Sequence, residues 1–390
     1  MSIDKCIIMN TILNNVSAIC VTEIKQSPYI IFGTKSGEIG IYDPQTSSNE
    51  LIYKFESGQP VLQITRYDNL LGILVQGDMR PDEDGINEYS KVYHLNLKNL
   101  SAGAKCIGRN ADHMFDPFAM LMYNSILYGV YMSDQDKVVF IKNLEYFDGS
   151  AIYDQLGFCL AINRHMTTAS VYTLRLDDLD SWQPDTFSYD SDFMCKIGAY
   201  LQMNPVDCED PDDIIVEQEQ IMNVNLPSNL VRSAHQKFTY IDFIKLYDSG
   251  DKNNPFVVTG GRDHRVIITD FNDHKVLFDQ DFGSIPRACA HNDDKIFVVG
   301  NDGMIMTIDK SDYSYFEMTL GEERFKCVEA LPSGNHIVAV NTDDVVFCVD
   351  MDEQEVKGFF DMNEKVNDVA VLSNCFYVLG ESGKLVEIEY

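Results

Sequence analysis

The chain has 390 residues, of which 45% are hydrophobic, so it can form one large all-β domain or two to three smaller domains. Its 61 acidic and 30 basic residues give a net charge of −31, which opposes nucleic acid or an anionic membrane as the main partner. No run of 18 apolar residues is present and the N-terminal sequence lacks a secretory-signal pattern, so we expect a cytoplasmic or nuclear protein.

Ten cysteines are spread over the chain, and no two of them form a CxxC pair. Several lie in apolar, strand-like runs. This pattern favours buried thiols in a reducing compartment over zinc sites or disulfides.

A hairpin design recurs along the chain. Each copy is an apolar run, a polar turn and an alternating run, as expected of paired strands with one buried face. The last four copies end at residues 270, 309, 350 and 389, a spacing close to 40 residues. Short strands repeating at this period are typical of β-propeller blades. The copies span 29–43, 255–270, 295–309, 336–350 and 375–389.

A second pattern precedes the hairpins, with apolar residues at i, i+3 and i+5, and predicts the innermost strand of each blade. Its copies are Val16/Ile19/Val21, Val61/Ile64 (interrupted at Arg66), Phe115/Phe118/Met120, Phe238/Ile241/Phe243, Ile285/Ala288/Ala290, Phe325/Val328/Ala330 and Val366/Val369/Val371.

Blade one is predicted at about 16–57, blade two at about 60–110, and blade three from about residue 115. A further strand pair within 158–174 follows too closely for a complete blade and lacks the innermost-strand pattern. The sequence therefore predicts a single all-β domain over 1–390, a seven-bladed β-propeller of four-stranded blades, with 147–236 as an elaboration of the third blade. Eight blades is the alternative.

The elaboration is strongly acidic. Residues 176–231 contain thirteen acids and one base, Lys196. The part around 204–220 is predicted to be a mobile acidic loop, which could contact a Lys/Arg-rich partner or be a solvated insertion.

The two chain ends are predicted to meet. The last blade supplies only three strands, which would leave an exposed sheet edge. Residues 3–12 are strand-like, and we expect them to pair with that blade and close the ring.

On these residues the chain resembles the WD-repeat β-propeller family. The resemblance rests on turn acids and on aspartates that close the third strand, although no blade has the Gly-His or Trp-Asp dipeptide and the single tryptophan is Trp182. It implies a role as a complex subunit, an adaptor or a chaperone-like holder of a basic protein. The turn acids are Asp263, Asp302 and Asp344, and the closing aspartates are Asp43, Asp270, Asp309 and Asp350.

Motifs for catalysis and for metal binding are not found. The eight histidines show no HxH or HExxH spacing, and neither a GxSxG elbow nor a phosphate-binding loop occurs. His264 and His274 flank one strand, but the neighbouring acids Asp263, Asp270 and Asp273 are better explained as turn formers. We therefore predict no catalytic residue, no cofactor and no metal.

The sequence favours a non-catalytic protein-interaction scaffold, a monomer within a hetero-complex that contacts other, possibly Lys/Arg-rich, proteins. The alternative is a propeller enzyme that acts on a small or peptidic substrate through the central channel. The predicted partner-binding residues are turn residues and acids of the elaboration: Lys35, Arg262, His264, Asn301, Asp302, Asp207, Glu209, Asp210, Asp212 and Asp213.

Overall fold

The structure is a computed structural model, and the residues that it describes are mostly in β-strands. It covers residues 8–24, 27–67, 69–77, 90–110, 119–123, 126–132, 138–142, 145–149, 153–156, 159–164, 170–175, 235, 241–247, 254–332 and 334–389.

The first half of the described chain contains sixteen strands and one 3-10 turn, Leu100–Ala102. The strands are β1 (Ile8–Leu13), β2 (Val16–Ile24), β3 (Ser27–Thr34), β4 (Glu38–Asp43), β5 (Ser48–Lys54), β6 (Val61–Tyr67), β7 (Leu70–Gln76), β8 (Ser90–Asn96), β9 (Lys105–Asn110), β10 (Ala119–Tyr123), β11 (Ile126–Met132), β12 (Val138–Lys142), β13 (Glu145–Gly149), β14 (Tyr153–Leu156), β15 (Cys159–Arg164) and β16 (Ser170–Arg175).

The second half contains fifteen strands. They are β17 (Ile241–Tyr247), β18 (Phe256–Gly261), β19 (Arg265–Asp270), β20 (Val276–Asp281), β21 (Pro286–His291), β22 (Lys295–Gly300), β23 (Met304–Asp309), β24 (Tyr315–Thr319), β25 (Phe325–Ala330), β26 (His336–Asn341), β27 (Val345–Asp350), β28 (Glu355–Asp361), β29 (Val366–Leu372), β30 (Cys375–Gly380) and β31 (Leu385–Glu389).

Groups of consecutive strands form separate sheets, except that β1 joins β29, β30 and β31. The four-stranded sheets follow the orders β2-β3-β4-β5, β6-β7-β8-β9, β10-β11-β12-β13, β17-β18-β19-β20, β21-β22-β23-β24, β25-β26-β27-β28 and β1-β31-β30-β29. Strands β14, β15 and β16 form a further, three-stranded sheet. The elaboration predicted over 147–236 therefore contains a sheet that is not hydrogen-bonded to the sheet β10–β13. Apart from this sheet, His235 and the end of β13, that segment lies outside the described residues.

The chain divides into two compact units. The first comprises Met1–Gln135, Val139–Tyr146 and Ala288–Tyr390, and the second comprises Asp136–Val138 and Phe147–Arg287. In the first unit the leading strands of successive sheets are neighbours: β10 contacts β6, β6 contacts β2, β2 contacts β29, and β29 contacts β25. The apolar core of this unit lies between the faces of neighbouring sheets. One such cluster joins Val338 and Val346 to Phe376 and Ile388.

The i, i+3, i+5 pattern has a structural cause. In five sheets the leading strand shifts register directly after its first residue, between Val16 and Ala18, for example. The extra residue of such a β-bulge has no partner in the ladder, and the side chains that follow it point to the other face of the sheet. Residues three apart on either side of the bulge therefore share a face. The other four shifts lie at Val61/Gln63, Ile241/Phe243, Phe325/Cys327 and Val366/Asp368.

The prediction of this pattern was wrong in phase for β17. The bulge follows Ile241, so the buried set is Ile241, Ile244 and Leu246, three residues later than predicted. Phe238, the predicted first member, lies outside the described residues. The apolar side chain at 243 is buried as well, and this made both registers fit the sequence.

The prediction for β21 was correct at its third position, where Ala290 is buried, and one residue off at the first two. Pro286 and Cys289 are buried, whereas Ile285 and Ala288 are half-buried. A proline at the first position of a strand needs no ladder hydrogen bond, so it can begin this leading strand. In β10 only Met120 of the predicted triplet lies among the described residues.

Strand β1 pairs antiparallel with β31, with Ile8 opposite Glu389 and Thr11 opposite Val386. The N-terminal segment thus supplies the fourth strand of the sheet β29–β31. Leu13, at the end of β1, is buried in a cluster with Leu385 and Tyr377.

The closing aspartates share one local role. Each places Oδ1 where it accepts a backbone N–H two residues later, for example 2.8 Å from Gln45 N to Asp43 and 2.9 Å from Asn272 N to Asp270. Asp309 and Asp350 do the same with Ser311 and Asp352. Each turn then needs a left-handed residue four positions after the aspartate. These residues are Ser47, His274, Tyr313 and Gln354.

Candidate interaction surface

Five of the predicted contact residues lie in three-residue turns between the second and third strands of their sheets. A turn this short is held by backbone hydrogen bonds, so its side chains project from a fixed frame. The turns belong to β3–β4 and β22–β23 in the first unit, and to β18–β19 in the second.

Lys35 is exposed in the β3–β4 turn. Its backbone N–H donates to Asn15 O at 2.9 Å, and its ammonium group donates to the carbonyl of Glu381 in the β30–β31 turn. Lys35 therefore joins the turns of two neighbouring sheets while its side chain stays accessible to a partner.

Asn301 and Asp302 lie in the β22–β23 turn, the first half-buried and the second exposed. Asp302 and Gly303 both adopt positive φ, 57° and 67°. A Cβ at Gly303 would lie 2.5 Å from Leu320 O, so glycine is required there. This packing fixes the direction in which Asp302 projects.

Arg262 and His264 lie in the β18–β19 turn. His264 is exposed at a φ of 64°, and its N–H donates to Gly261 O at 3.1 Å. Arg262 Nε lies 3.4 Å from Asp242 Oδ1, and Arg287 lies 3.1 Å from Asp242 Oδ2. Sequence reasoning missed Asp242 and Arg287, because a carboxylate shared by two arginines 20 and 45 residues away leaves no local pattern.

The remaining predicted contacts are the acids of the elaboration. Asp207, Glu209, Asp210, Asp212 and Asp213 lie outside the described residues, so the structure does not place them relative to the turns.

The three turn acids that the resemblance grouped together have different surroundings. Asp302 is exposed. Asp344 binds Lys326 and accepts the N–H of Val366, at the start of the next sheet, at 2.8 Å. Burial raises the pKa of Asp344, but the hydrogen bonds from Lys326 and Val366 outweigh it and hold the pKa below its usual value. Asp344 thus ties two sheets together.

Asp263 instead points into the second unit and meets His235. His235 Nδ1 lies 2.9 Å from Asp263 Oδ1, and His235 Nε2 lies 2.9 Å from Thr259 Oγ1. The side chains of His235 and Asp263 are 0% and 1% exposed. Gly261 completes the packing, since a Cβ there would lie 2.7 Å from Asp263 and 2.8 Å from His235.

The order carboxylate, imidazole, hydroxyl is the arrangement of a nucleophilic triad. Here a reacting group could not approach Thr259, which is 3% exposed and also donates to Ile267 O at 3.4 Å. The His235 network therefore connects His235, which precedes β17 in the sequence, to the hairpin β18–β19. Sequence reasoning missed it because the partners are 24 and 28 residues apart.

Polar side chains also gather on the leading strands of the first unit. Arg66 of β6 donates to the hydroxyl of Thr22 of β2. Burial raises the pKa of the Cys20 thiol to about 11, with a lowering effect from Arg66 and a raising effect from Asp368 of β29. Burial also raises the pKa of Asp368 to about 6, although its carboxylate keeps contact with solvent. A thiol with a raised pKa is a poor nucleophile.

Among the residues described here, no group of three or more His, Cys, Asp or Glu side chains is arranged to hold a metal ion. At His274, burial lowers the pKa against the raising effect of Asp270 and Asp273. Asp270 and Asp273 instead accept backbone N–H groups of their own turn. Nor does the described chain contain a helix long and apolar enough to span a membrane.

No protein-family model and no curated protein sequence matches the chain. Solved structures match over nearly its whole length. A computationally designed protein, Ika8, is 12% identical, with 97% of this chain and 96% of that one covered and a TM-score of 0.58. The C-terminal WD40 domain of Sif2 is 9% identical, with 98% of each chain covered and a TM-score of 0.58. The fold of this chain is therefore that of a WD-repeat-like β-propeller.

Proposed function

We propose that the chain is a non-catalytic protein-interaction scaffold, a WD-repeat-like subunit or adaptor of a larger intracellular complex in the cytoplasm or nucleus. One observation carries this proposal: exposed polar side chains, two of them charged, stand on short turns whose backbones are fixed by the sheets, as Lys35, Asp302 and His264 do. Rigid presentation lowers the entropic cost of binding, because the contact residues are already ordered.

The partner we propose is a Lys/Arg-rich protein, bound by one copy of this chain. The net charge of −31 supports this choice, since long-range attraction speeds encounter with a basic surface and repels an acidic one. The acidic stretch 207–213 would add to that attraction.

For the blade arrangement we propose eight blades, the alternative to the predicted seven. The support is the sheet β14–β16, which is separate from its neighbours in the hydrogen-bond pattern and brings the described sheets to eight. We also propose that the pairing of β1 with β31 closes the ring.

The alternative of a propeller enzyme gains no support from the described residues. Their one triad-like arrangement, at His235, is sealed from solvent.

Affinity isolation of the tagged protein, followed by identification of stoichiometric partners, tests the proposal. A double variant, Lys35→Glu with Asp302→Lys, reverses two exposed turn charges of the first unit. The matched control, Lys98→Glu with Glu50→Lys, reverses two exposed charges of the first unit that lie outside the turns between the second and third strands. We expect the first variant to lose partners that the control retains.

Deleting residues 205–220 tests the acidic stretch separately. We expect weaker capture of basic partners, and a smaller loss of capture when salt is raised, because fewer charges remain to be screened. The scaffold proposal fails if the tagged protein retains no stoichiometric partner, or if purified protein turns over a substrate.

A further inference from the structure

The outer strand β28 carries an exposed aromatic residue at a position where the fold accepts a charge. Phe359 is 58% exposed, and it lies opposite Phe347 of β27. Phe347 stands three residues before the closing Asp350. The residues in the same position of two other sheets are acidic: Asp279 lies opposite Ile267, and Glu317 lies opposite Met306. Packing within the sheet therefore does not require phenylalanine at 359.

Phe359 extends a row of aromatic rings that begins in the core. Phe325 is 1% exposed, and its ring centroid lies 5.8 Å from that of Phe347. The ring centroids of Phe347 and Phe359 are 6.1 Å apart. Phe347 packs against the cluster between the sheets β21–β24 and β25–β28. The outer strands add the half-buried side chains of Phe316, Met318 and Val356 to that cluster. We call this set, Phe316, Met318, Phe347, Val356 and Phe359, the Phe359 patch.

The surroundings of the Phe359 patch are acidic. The outer strands with their adjoining turns and connections, 310–324 and 351–365, contain nine acids and four bases. Two of those bases are already engaged within the chain: Lys357 binds Glu353 and Glu355, and Lys310 donates to Asn292 O. The exposed acids are Asp312, Glu317, Glu322, Asp352, Glu353, Glu355 and Asp361.

We infer that the Phe359 patch is a docking site for a basic polypeptide segment that packs one large apolar side chain against Phe359. Apolar anchors surrounded by charged contacts carry most of the binding energy at protein interfaces. Charge identifies the occupant. A second copy of this chain would bring another −31 of net charge, and nucleic acid would also be repelled, whereas a Lys/Arg-rich segment is attracted. This inference rests on the proposed scaffold function and gives it a location and a partner chemistry.

The test uses the full-length protein and three labelled synthetic peptides, with binding measured by fluorescence anisotropy. One peptide has lysines flanking a central tryptophan, the second has alanine in place of the tryptophan, and the third has glutamates in place of the lysines. We expect the lysine–tryptophan peptide to bind, the alanine peptide to bind about tenfold more weakly, and the glutamate peptide not to bind.

The variant Phe359→Glu has a matched control in Leu51→Glu. Leu51 is 55% exposed on β5 opposite Gly40, the same position of another sheet, so both variants add one negative charge at equivalent places. Added negative charge alone would strengthen binding of a basic peptide. We therefore expect Phe359→Glu to weaken the lysine–tryptophan peptide about tenfold or more, and Leu51→Glu to leave it unchanged or slightly tighter. Both variants are expected to unfold thermally like the wild type, since Asp279 and Glu317 occupy this position elsewhere.

Equal binding by Phe359→Glu and the wild type would overturn the inference, as would equal losses in the two variants, equal affinity for the alanine peptide, or no binding of any peptide. Sedimentation velocity covers self-association: a wild-type dimer that Phe359→Glu abolishes would assign the Phe359 patch to a second copy. If the peptides fail while the tagged protein still retains stoichiometric partners, the docking site is wrong and the scaffold proposal stands.

Discussion

Replacing Asp263 with alanine tests whether the His235 network holds the second unit together. In the wild type, His235 Nδ1 lies 2.9 Å from Asp263 Oδ1 and 3.1 Å from Oδ2, and the side chains are almost completely buried. Removing the carboxylate leaves a buried ring nitrogen without this partner, and such a group costs about 1–3 kcal/mol. The space left by the carboxylate adds about 1 kcal/mol or more. We expect the free energy of unfolding to fall by about 2–4 kcal/mol.

Two other variants show whether the effect belongs to the network. Thr259→Val keeps the shape and removes the hydroxyl 2.9 Å from His235 Nε2, so we expect a smaller loss of about 1–2 kcal/mol. Asp302→Ala removes an exposed turn acid in the next sheet, and we expect a loss of at most about 1 kcal/mol. Combining Asp263→Ala with Thr259→Val should cost less than the sum of the single changes, because both act on one imidazole.

Urea denaturation followed by circular dichroism measures the global effect. At a slope of about 1–3 kcal/mol per molar, the expected loss moves the midpoint of Asp263→Ala by about 1 M. Hydrogen exchange then locates it: the amides of β17–β19 should lose protection while those of β25–β27 keep theirs. A midpoint for Asp263→Ala within the error of the wild type, or an equal shift in Asp302→Ala, would refute the structural role of the network.

Three further outcomes are expected. Deleting residues 1–12 removes most of β1 and exposes the edge of β31, so the melting temperature should fall; an unchanged melting temperature would contradict the role of the pairing. Gly40→Ala places a Cβ 2.2 Å from the Phe32 ring and should lower the free energy of unfolding, measured by urea denaturation, by about 1–3 kcal/mol. Adding Phe32→Leu should recover part of this loss, and no recovery would locate the strain elsewhere. Above pH 6, the variant Asp368→Asn should have a higher free energy of unfolding than the wild type, by less than about 1 kcal/mol because the carboxylate keeps contact with solvent. This gain should vanish below about pH 4, where the wild-type carboxyl group is protonated in both the folded and the unfolded state. A difference that does not depend on pH would exclude titration of Asp368 as its cause.

The sign of the Asp368 effect follows from linkage. Its pKa is raised in the folded state, so the proton stabilises the fold at pH values below the unfolded pKa, and this contribution is lost as the pH rises through about 6. Asparagine cannot ionise, and the variant therefore avoids the loss.

The repeating hairpins were predictable because their information is local. Strands β22 and β23, for example, lie within the predicted hairpin 295–309. The prediction of a single buried face was wrong for them, since consecutive side chains on both faces are buried. The leading strands were harder. A bulge changes the phase of alternation, and where Phe243 is apolar next to the bulge after Ile241, two registers satisfy one pattern.

The exposure of turn residues was predictable from the sequence, whereas the contacts between side chains of different strands were not. Turn residues such as Lys35 and Asp302 were found because polar turns between apolar runs face solvent. The partners of other turn residues, Asp242, His235 and Lys326, were not predicted. Each of them is brought to its turn residue by the fold and lies about 20 or more residues away in the sequence. The resemblance grouped Asp263 with Asp344, yet the first binds a buried imidazole and the second a lysine of its own sheet.

The pairing of β1 with β31 has a consequence during synthesis on the ribosome. Strand β1 is translated long before its partner β31, since Ile8 pairs with Glu389. The hydrogen-bonding edge of β1 must wait until all the strands between β1 and β31 have been translated, and such distant contacts form slowly. Nascent chains stalled before residue 385 should therefore be more prone to aggregate, and more often held by chaperones, than chains released after it.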